Sequence, residues 1–474
     1  MSDSTRSPPA PSLRGLAAGT IAGVSLLTAA FATPVAAQGV FFPETFTLSN
    51  GMEVVAVVNR RVPVVAHMVM YKVGSADEPR GRSGIAHYLE HLMFKGTETV
   101  EPGAFSKEVS RHGGRDNAFT SYDYTGYFQT VAADRLEMVM RLEADRMANL
   151  RLTDALARPE LQVVREERKQ RTDNSPQARL GEQVAATLFV HHPYGTPIIG
   201  WDGEIAALTK DDAVDFYKTW YAPNNAVLLV SGDVDVGRLR ALAEETYGRV
   251  PARPVPPRVR VEEPPTAAAR RVLLRDGEVR QPSFQRHYLA PSYSRGVGEH
   301  AYALQVLGEI MSGDTGRLYR ALVVDRKVAT SAGLSYSPDA FDLGRLVLFA
   351  SPTPETSMDA LEGAMEDEIA RLMADGVMAD EVEKAKRRLR FAAVYARDSV
   401  FGPARTFGTA IATGQTVADV EAWPDRIAAV TKEGVDAAAR AVLGQTNHVT
   451  GLLLPATGAR PPAGAAAAAP GGVR

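Results

Sequence analysis

The stretch HYLEHLMFKGT, His87 to Thr97, decides how the rest of this 474-residue sequence is read. A helix turns by about 100° per residue, so His87 and His91 lie one turn apart on one face, with Glu90 beside them. Two imidazoles and a carboxylate are thereby brought to one region. Imidazole is a good zinc ligand, and two of them at i and i+4 can bind one ion. A neighbouring carboxylate that does not ligate can take a proton from water. The order His-x-x-Glu-His is the inverse of the commoner zinc-protease motif. The plainer alternative is a chance placement on one helix, and a third ligand would decide against it, because a catalytic zinc site commonly has three protein ligands and an open fourth position.

Candidates for that ligand lie in PELQVVREERKQRTDNSP, which starts at Pro159. Glu160 and Glu167 are nearly two helical turns apart and share a face, whereas Glu166 points about 100° away from Glu167. Upstream, Phe46 to Val58 reads as two strands around Asn50-Gly51, a pair that tolerates positive φ and signals a hairpin. Val64 to Val73 reads as a strand, Ile85 to Phe94 as a helix, and the stretch after Pro102 as a helix ending at Gly113-Gly114. Asn117 to Phe128 is rich in Thr, Tyr and Phe and reads as one strand. Helical patterns cover Ala133 to Asn149 and Pro159 to Arg171. His112 and His191 fall in expected loops and read as structural or exposed.

The six prolines of PARPVPPRVRVEEPP, Pro251 to Pro265, can continue neither a helix nor a central strand and mark a linker. After it the order partly repeats: a strand near Arg271, a helix at Glu299 to Met311, and a strand pair between Ala332 and Ala350. Helices follow at Ser357 to Ala374 and Ala379 to Tyr395. The expected fold is therefore α+β: two similar α/β-sandwich domains from an internal duplication, each a mainly antiparallel sheet packed with helices. Their expected bounds are 38–250 and 266–455. Residues 1–37, with Arg6 and Arg14 before an apolar stretch and small residues up to Ala37, read as a cleavable secretory signal. Residues 456–474, rich in Ala, Pro and Gly, read as a disordered tail. The chain is thus expected to be exported, and periplasmic if its source is a Gram-negative bacterium, with no stable membrane span after cleavage. Cysteine is absent, which excludes disulfides and thiolate sites. With 53 basic and 56 acidic residues the net charge is −3, too near neutral for nucleic-acid binding through a dominant basic field.

HYLEHLMFKGT, NAFTSYDYT from Asn117, the Glu160 to Glu167 helix, HPYGTPIIG from His192 and YAPNNAVLLVSGDV from Tyr221 together resemble the pitrilysin/insulinase family of inverted zinc peptidases. The likeness is greatest to the short subunits related to the mitochondrial processing peptidase, and it runs from about Phe46 to Leu453. It implies His87, His91 and Glu167 as ligands of one zinc ion per chain, and Glu90 as general base in the hydrolysis of a peptide bond. It also implies Glu160 as the residue that orients a ligating histidine. Glu166 is the rival third ligand, with a solvated helix charge as its plainer role. Asn117, Ala118, Phe119 and Thr120, followed by Ser121, resemble the family's substrate-side edge strand, to which an extended peptide can add; an ordinary internal strand is the alternative.

In that family the facing domain supplies an Arg and, seven residues on, a Tyr to the substrate. Here that alignment meets Val323 and Thr330, which cannot replace them, and Arg317, Arg326 and Tyr336 do not have the spacing. The resemblance therefore implies a peptide-cleaving subunit in a heterodimer with a homologous chain carrying the Arg/Tyr pair. A catalytically silent scaffold of the same fold, or a structural zinc protein, would be the competing classes. The intact HYLEH and Glu167 speak against the first and the lack of a fourth protein ligand against the second.

Overall fold

The computed structural model describes residues 39–456. The expected signal at 1–37, and the expected tail apart from Ala456, lie outside the described residues. Among the described residues no helix is long and apolar enough to cross a membrane.

The chain opens with β1 (Glu44–Thr47) and β2 (Glu53–Val58), antiparallel around a turn in which Gly51 takes φ +87°. It continues through β3 (Val64–Tyr71), α1 (Ile85–Leu92), α2 (Ala104–Arg111), β4 (Arg115–Thr120) and β5 (Thr125–Ala132). Next come α3 (Leu136–Asn149), α4 (Asp154–Arg168), α5 (Pro176–Leu188) and β6 (Ala226–Gly232). The second half contributes β7 (Arg270–Asp276), β8 (Ser283–Ala290), β9 (Ala329–Ser337), β10 (Gly344–Pro352) and β11 (Val449–Pro455).

The strands form two sheets, ordered β1-β2-β6-β3-β5-β4 and β7-β11-β8-β10-β9. Set β7 against β2 and each later strand against its counterpart, and the two orders coincide, with β1 as an addition to the first. Pairing is antiparallel except for β2 with β6 and β7 with β11, so both sheets are mixed at equivalent places. The duplication is thus visible in topology.

Alternation along the strands builds two layers on the first sheet. Val54, Ala56, Val69 and Tyr71 face a core with α1, α3 and α4, while Val55, Val57, Met68 and Met70 face the other way. That second face is covered by Phe407 and Ala410 of the helix Gly402–Ala412, which belongs to the second half of the chain. The exchange is mutual. Leu180, Val184 and Leu188 of α5, from the first half, pack on Val449 and Leu453 of the second sheet. The approach is close: a Cβ at Gly451 would stand 2.7 Å from Val184 Cγ2. The other face of the second sheet, with Phe284, Tyr288, Leu346 and Leu348, buries against the helices Gly298–Met311, Met358–Asp375 and Lys432–Leu443.

Two sequence expectations are corrected in detail. Asn117 to Phe128 is not one strand but a hairpin, with the Ser121 N–H donating to the Tyr124 carbonyl at 2.8 Å. The break is set by Asp123, whose buried carboxylate accepts from the Tyr194 hydroxyl at 2.5 Å and from Arg260 at 2.9 Å. The proline-rich stretch has neither helix nor strand, as expected, but it is tied down along its length. Arg258 and Arg260 are buried beside Asp77 and Asp123, and Arg258 donates to the Ala412 carbonyl at 2.6 Å and stacks on Phe341. Glu263 accepts the backbone N–H groups of Val190, His191 and His192.

Candidate metal centre and substrate cleft

Helix α1 forms because Ile85, Tyr88, Leu89 and Leu92 give it a buried stripe at helical spacing. Its start is fixed by Glu78, which accepts the Gly84 N–H at 3.0 Å and the Ala86 N–H at 2.9 Å, satisfying donors that a helix N-terminus leaves free. Gly84 is required there: φ is +88°, and a Cβ would meet the Ile199 carbonyl at 2.5 Å. Helix α4 is pinned across α1 by the Tyr88 hydroxyl, which donates to the Ala157 carbonyl at 2.7 Å. This crossing brings residues 87–91 against residues 160–167.

His87, His91 and Glu167 each present one ligand-type atom within 4.8 Å of the others. Glu167 Oε2 lies 3.1 Å from His91 Nε2 and 3.7 Å from His87 Nε2. A cation site also needs donors that can ligate: His87 is neutral near pH 7, and His91 would give up its Nε2 proton to an incoming cation. His91 Nδ1 lies 2.9 Å from Glu160 Oε1, a partner that keeps the proton on Nδ1 in the neutral ring and turns the Nε2 lone pair inward. His87 is pushed down to about 4 by burial and by the nearby His91, so its ring is neutral near pH 7. For His91 burial opposes the charged form, yet hydrogen bonds to Glu160 and Glu167 outweigh it and raise the ring to about 9. That surplus of negative potential is what a divalent cation would meet. Two imidazole nitrogens and a carboxylate oxygen suit a zinc-type ion.

Glu160 and Glu167 are both held below the usual carboxylate range. For Glu160 partial burial works the other way, but hydrogen bonds from His91 and Lys95 prevail. For Glu167 the hydrogen bond from His91 leads, with His87 and Arg171 assisting. Glu166 is turned to solvent, its nearest cation Lys169 at 3.9 Å. Glu90 differs from both. Burial raises its pKa, only partly offset by the Thr120 hydroxyl, which donates to Oε2 at 2.5 Å. It is therefore a stronger base than an exposed glutamate and has one oxygen still unengaged by protein hydrogen bonds.

These groups open onto a cavity of about 790 Å³ lined also by Asn117, Ala118, Phe119 and Thr120. Strand β4, which carries them, is the edge of the first sheet. Asn117 Oδ1 accepts the Ala118 N–H at 2.8 Å, so that N–H is directed away from β5 and toward the free edge. Ser121 remains at the hairpin turn. His112 is engaged by Glu108 at 3.0 Å, and His191 is exposed beside Arg80, so neither joins the group.

Sequence reasoning did not foresee what the second half brings to this cavity. Arg345 of β10 and His287 of β8 line it, as do Tyr122, Arg171 and the α5 face formed by Ala178, Gly181, Glu182 and Ala185. Only the last had a signal, small residues at helical spacing. Val323 packs on the second core and Thr330 is exposed. The residues weighed as their substitutes have other work. Arg317 pairs with Glu381, Arg326 with Asp367, and the Tyr336 hydroxyl donates to the Pro291 carbonyl.

Comparison with known proteins places this geometry. Residues 54–202 match the family model described as insulinase (peptidase family M16), and residues 207–389 match that of the peptidase M16 inactive domain. The zinc protease PqqE of Helicobacter pylori is 32% identical over 347 residues, covering 72% of this chain and 77% of that protein. An uncharacterized zinc protease of Mycobacterium tuberculosis is 30% identical over 411 residues, covering 85% and 91%. Among solved structures, a protease from Helicobacter pylori superposes with a TM-score of 0.81 at 29% identity, covering 87% of this chain and 99% of that one. The first half of the periplasmic protease PqqL from Escherichia coli shares the fold at 20% identity, with a TM-score of 0.74 and coverage of 87% and 92%. By sequence and by fold, the chain belongs to the insulinase family of peptidases, M16.

Proposed function

We propose that the chain is a zinc-dependent endopeptidase that hydrolyses peptides or unfolded protein segments. The observation that carries this reading is the convergence of His87, His91 and Glu167 beside a buried Glu90, in a cavity bordered by a free strand edge. The relatives named zinc proteases support it.

In this reading His87, His91 and Glu167 hold one zinc ion per chain. When bound, zinc supplies Lewis acidity that polarises a carbonyl and lowers the pKa of water. Glu160 fixes the tautomer and direction of His91, while Lys95 holds Glu160 ionised. Glu90 takes the proton of the attacking water on its free oxygen and returns it to the leaving amine nitrogen. Thr120 keeps the other oxygen in place. Asn117 to Thr120 bind an extended peptide as an added strand through backbone groups, which suits acceptance of varied sequences.

Since Val323 and Thr330 stand where the family resemblance puts an Arg and a Tyr, the chain acts as one subunit of a heterodimer with a homologous partner carrying that pair. The expected signal and the periplasmic relative favour an exported location. A silent scaffold is the competing reading, favoured by the inactive-domain description of the second match; that match begins at residue 207, beyond the ligand set. Metal analysis and cleavage of unfolded peptides, with and without a co-purified partner, test the proposal. Glu90→Gln should lower cleavage by about 10²- to 10⁴-fold while stoichiometric zinc stays bound. Loss of the zinc in that variant, or full cleavage by it, overturns the role of Glu90. Full activity of the isolated chain as a monomer overturns the heterodimer.

A further inference from the structure

We propose that Arg345 is the docking point for a carboxylate of the substrate, so that the enzyme favours peptides with an anionic group near the cleaved bond. This deepens the endopeptidase reading and rests on it. The two sheets meet around the cavity in a way that makes Arg345 unusual. In β10 it pairs with Leu289 of β8 and Ser337 of β9, and cross-strand partners share a face. Leu289 packs with the α5 cluster, so Arg345 stands on the face of the second sheet turned toward α5 and the first half, away from the helices that bury Leu346 and Leu348. It is half-buried and lines the same cavity as His87, Glu90, His91 and Glu167.

The other guanidinium groups near these walls are already matched. Arg171 lies 2.6 Å from Glu167, Arg168 lies 2.8 Å from Glu182, and Arg286 pairs with Glu362 and Glu366 on the opposite face. Among the described residues Arg345 has no ion pair and no side-chain hydrogen bond. Its guanidinium nitrogens are not among the buried unpartnered atoms, so its donors face the open cavity and are available to an incoming acceptor. The groups beside it do not supply one. His287, two residues from Leu289 on the same face, is 8% exposed with its Nδ1 unpartnered, and Tyr122 is a neutral phenol. Small residues keep this cavity open: at Gly181 of α5, which also lines it, a Cβ would meet nothing within 4 Å.

The complement of a planar, charged fork in a recess is a carboxylate, held by paired hydrogen bonds. Tyr122 stands two residues past the end of β4, so a peptide lying along the Asn117 to Thr120 edge passes this corner within a few residues of Glu90. The carboxylate could be an Asp or Glu side chain or the chain terminus of a short peptide.

The test uses zinc-loaded full-length protein, with its partner if one co-purifies. Fluorogenic peptides carry Asp, Asn or Lys walked through the four positions on each side of the cleaved bond, with C-termini free or amidated. The expected result is one position at which Asp is preferred over Asn, or a preference for the free acid over the amide. Arg345→Gln should reduce that preference about tenfold or more, and Arg345→Glu should turn it toward Lys. Preference at a side-chain position assigns an internal acidic residue; preference for the free acid assigns the terminus. An Asp-to-Asn ratio near one everywhere with no effect of the terminus, or a ratio unchanged in Arg345→Gln, overturns the proposal. Binding of the same peptides, labelled, to Glu90→Gln protein with and without Arg345→Gln gives a readout independent of turnover. If wild type cleaves nothing but binding shows the preference and its loss, the endopeptidase reading fails and the carboxylate site stands; equal binding overturns the site.

Discussion

Glu160 would support the proposed metal site without touching the ion. Its two oxygens are divided between His91 Nδ1 and the Lys95 ammonium, so the carboxylate is fixed and ionised before it fixes the ring. Glu160→Gln should therefore lower zinc affinity about 10- to 100-fold, measured by competition with a chelator, with the fold retained. His87→Ala should remove stoichiometric zinc altogether. His287 provides a pH test of a different kind. Burial, aided by Arg345, lowers it from an ordinary 6.5 to about 4, so as pH falls the unfolded chain takes up this proton first. Stability from this group is complete above pH 6.5 and is lost progressively down to pH 4, a loss of order 3 kcal/mol. Denaturant titrations between pH 4 and 7 should show a shallower slope in His287→Gln than in wild type; equal slopes would mean the ring is solvated. The motif residues were legible because one helix carries three of them at fixed spacing. Arg345 and His287 were not, because alternation along β10 and β8 marks the core face without saying what the other face meets.

At the level of elements, β4 is where the proposed peptide site can be tested. With the Ala118 N–H pointing outward, Ala118→Pro removes an edge donor while sparing the ladder to β5. It should reduce kcat/KM for extended peptides by about tenfold, with thermal unfolding little changed. A large fall in Tm instead would place that N–H in the fold's own bonding. The long helices of the second half were read within a residue or two, since eighteen residues of helical period leave little latitude. The hairpin of β4 and β5 was read as one strand because Thr, Tyr and Phe run straight through the turn. What bends the chain is the charge of Asp123, satisfied by Arg258 and Arg260 more than a hundred residues away, and no local pattern reports that.

Across the whole molecule the proline-rich stretch is a clamp. Asp77, Asp123 and Arg260 are nearly excluded from water, with side-chain exposures of 2%, 4% and 4%. Arg260→Met should cost about 3–5 kcal/mol in urea unfolding, because it leaves buried carboxylates short of a partner. A cost below 1 kcal/mol would show that water reaches them. The duplication was legible as an order of elements, but the trade of helices between the halves was not, since amphipathic helices do not name the sheet they cover. That trade bears on how the protein comes into being. The outer face of the first sheet is not covered until Gly402 to Ala412 exist, and the sheet under α5 lacks its strand between β7 and β8 until β11 at Val449 to Pro455 is made. On a ribosome, then, each sheet waits for a segment made late in the chain before both its faces are covered. Only the inner face of the first sheet, packed by helices of the first half, is complete before then.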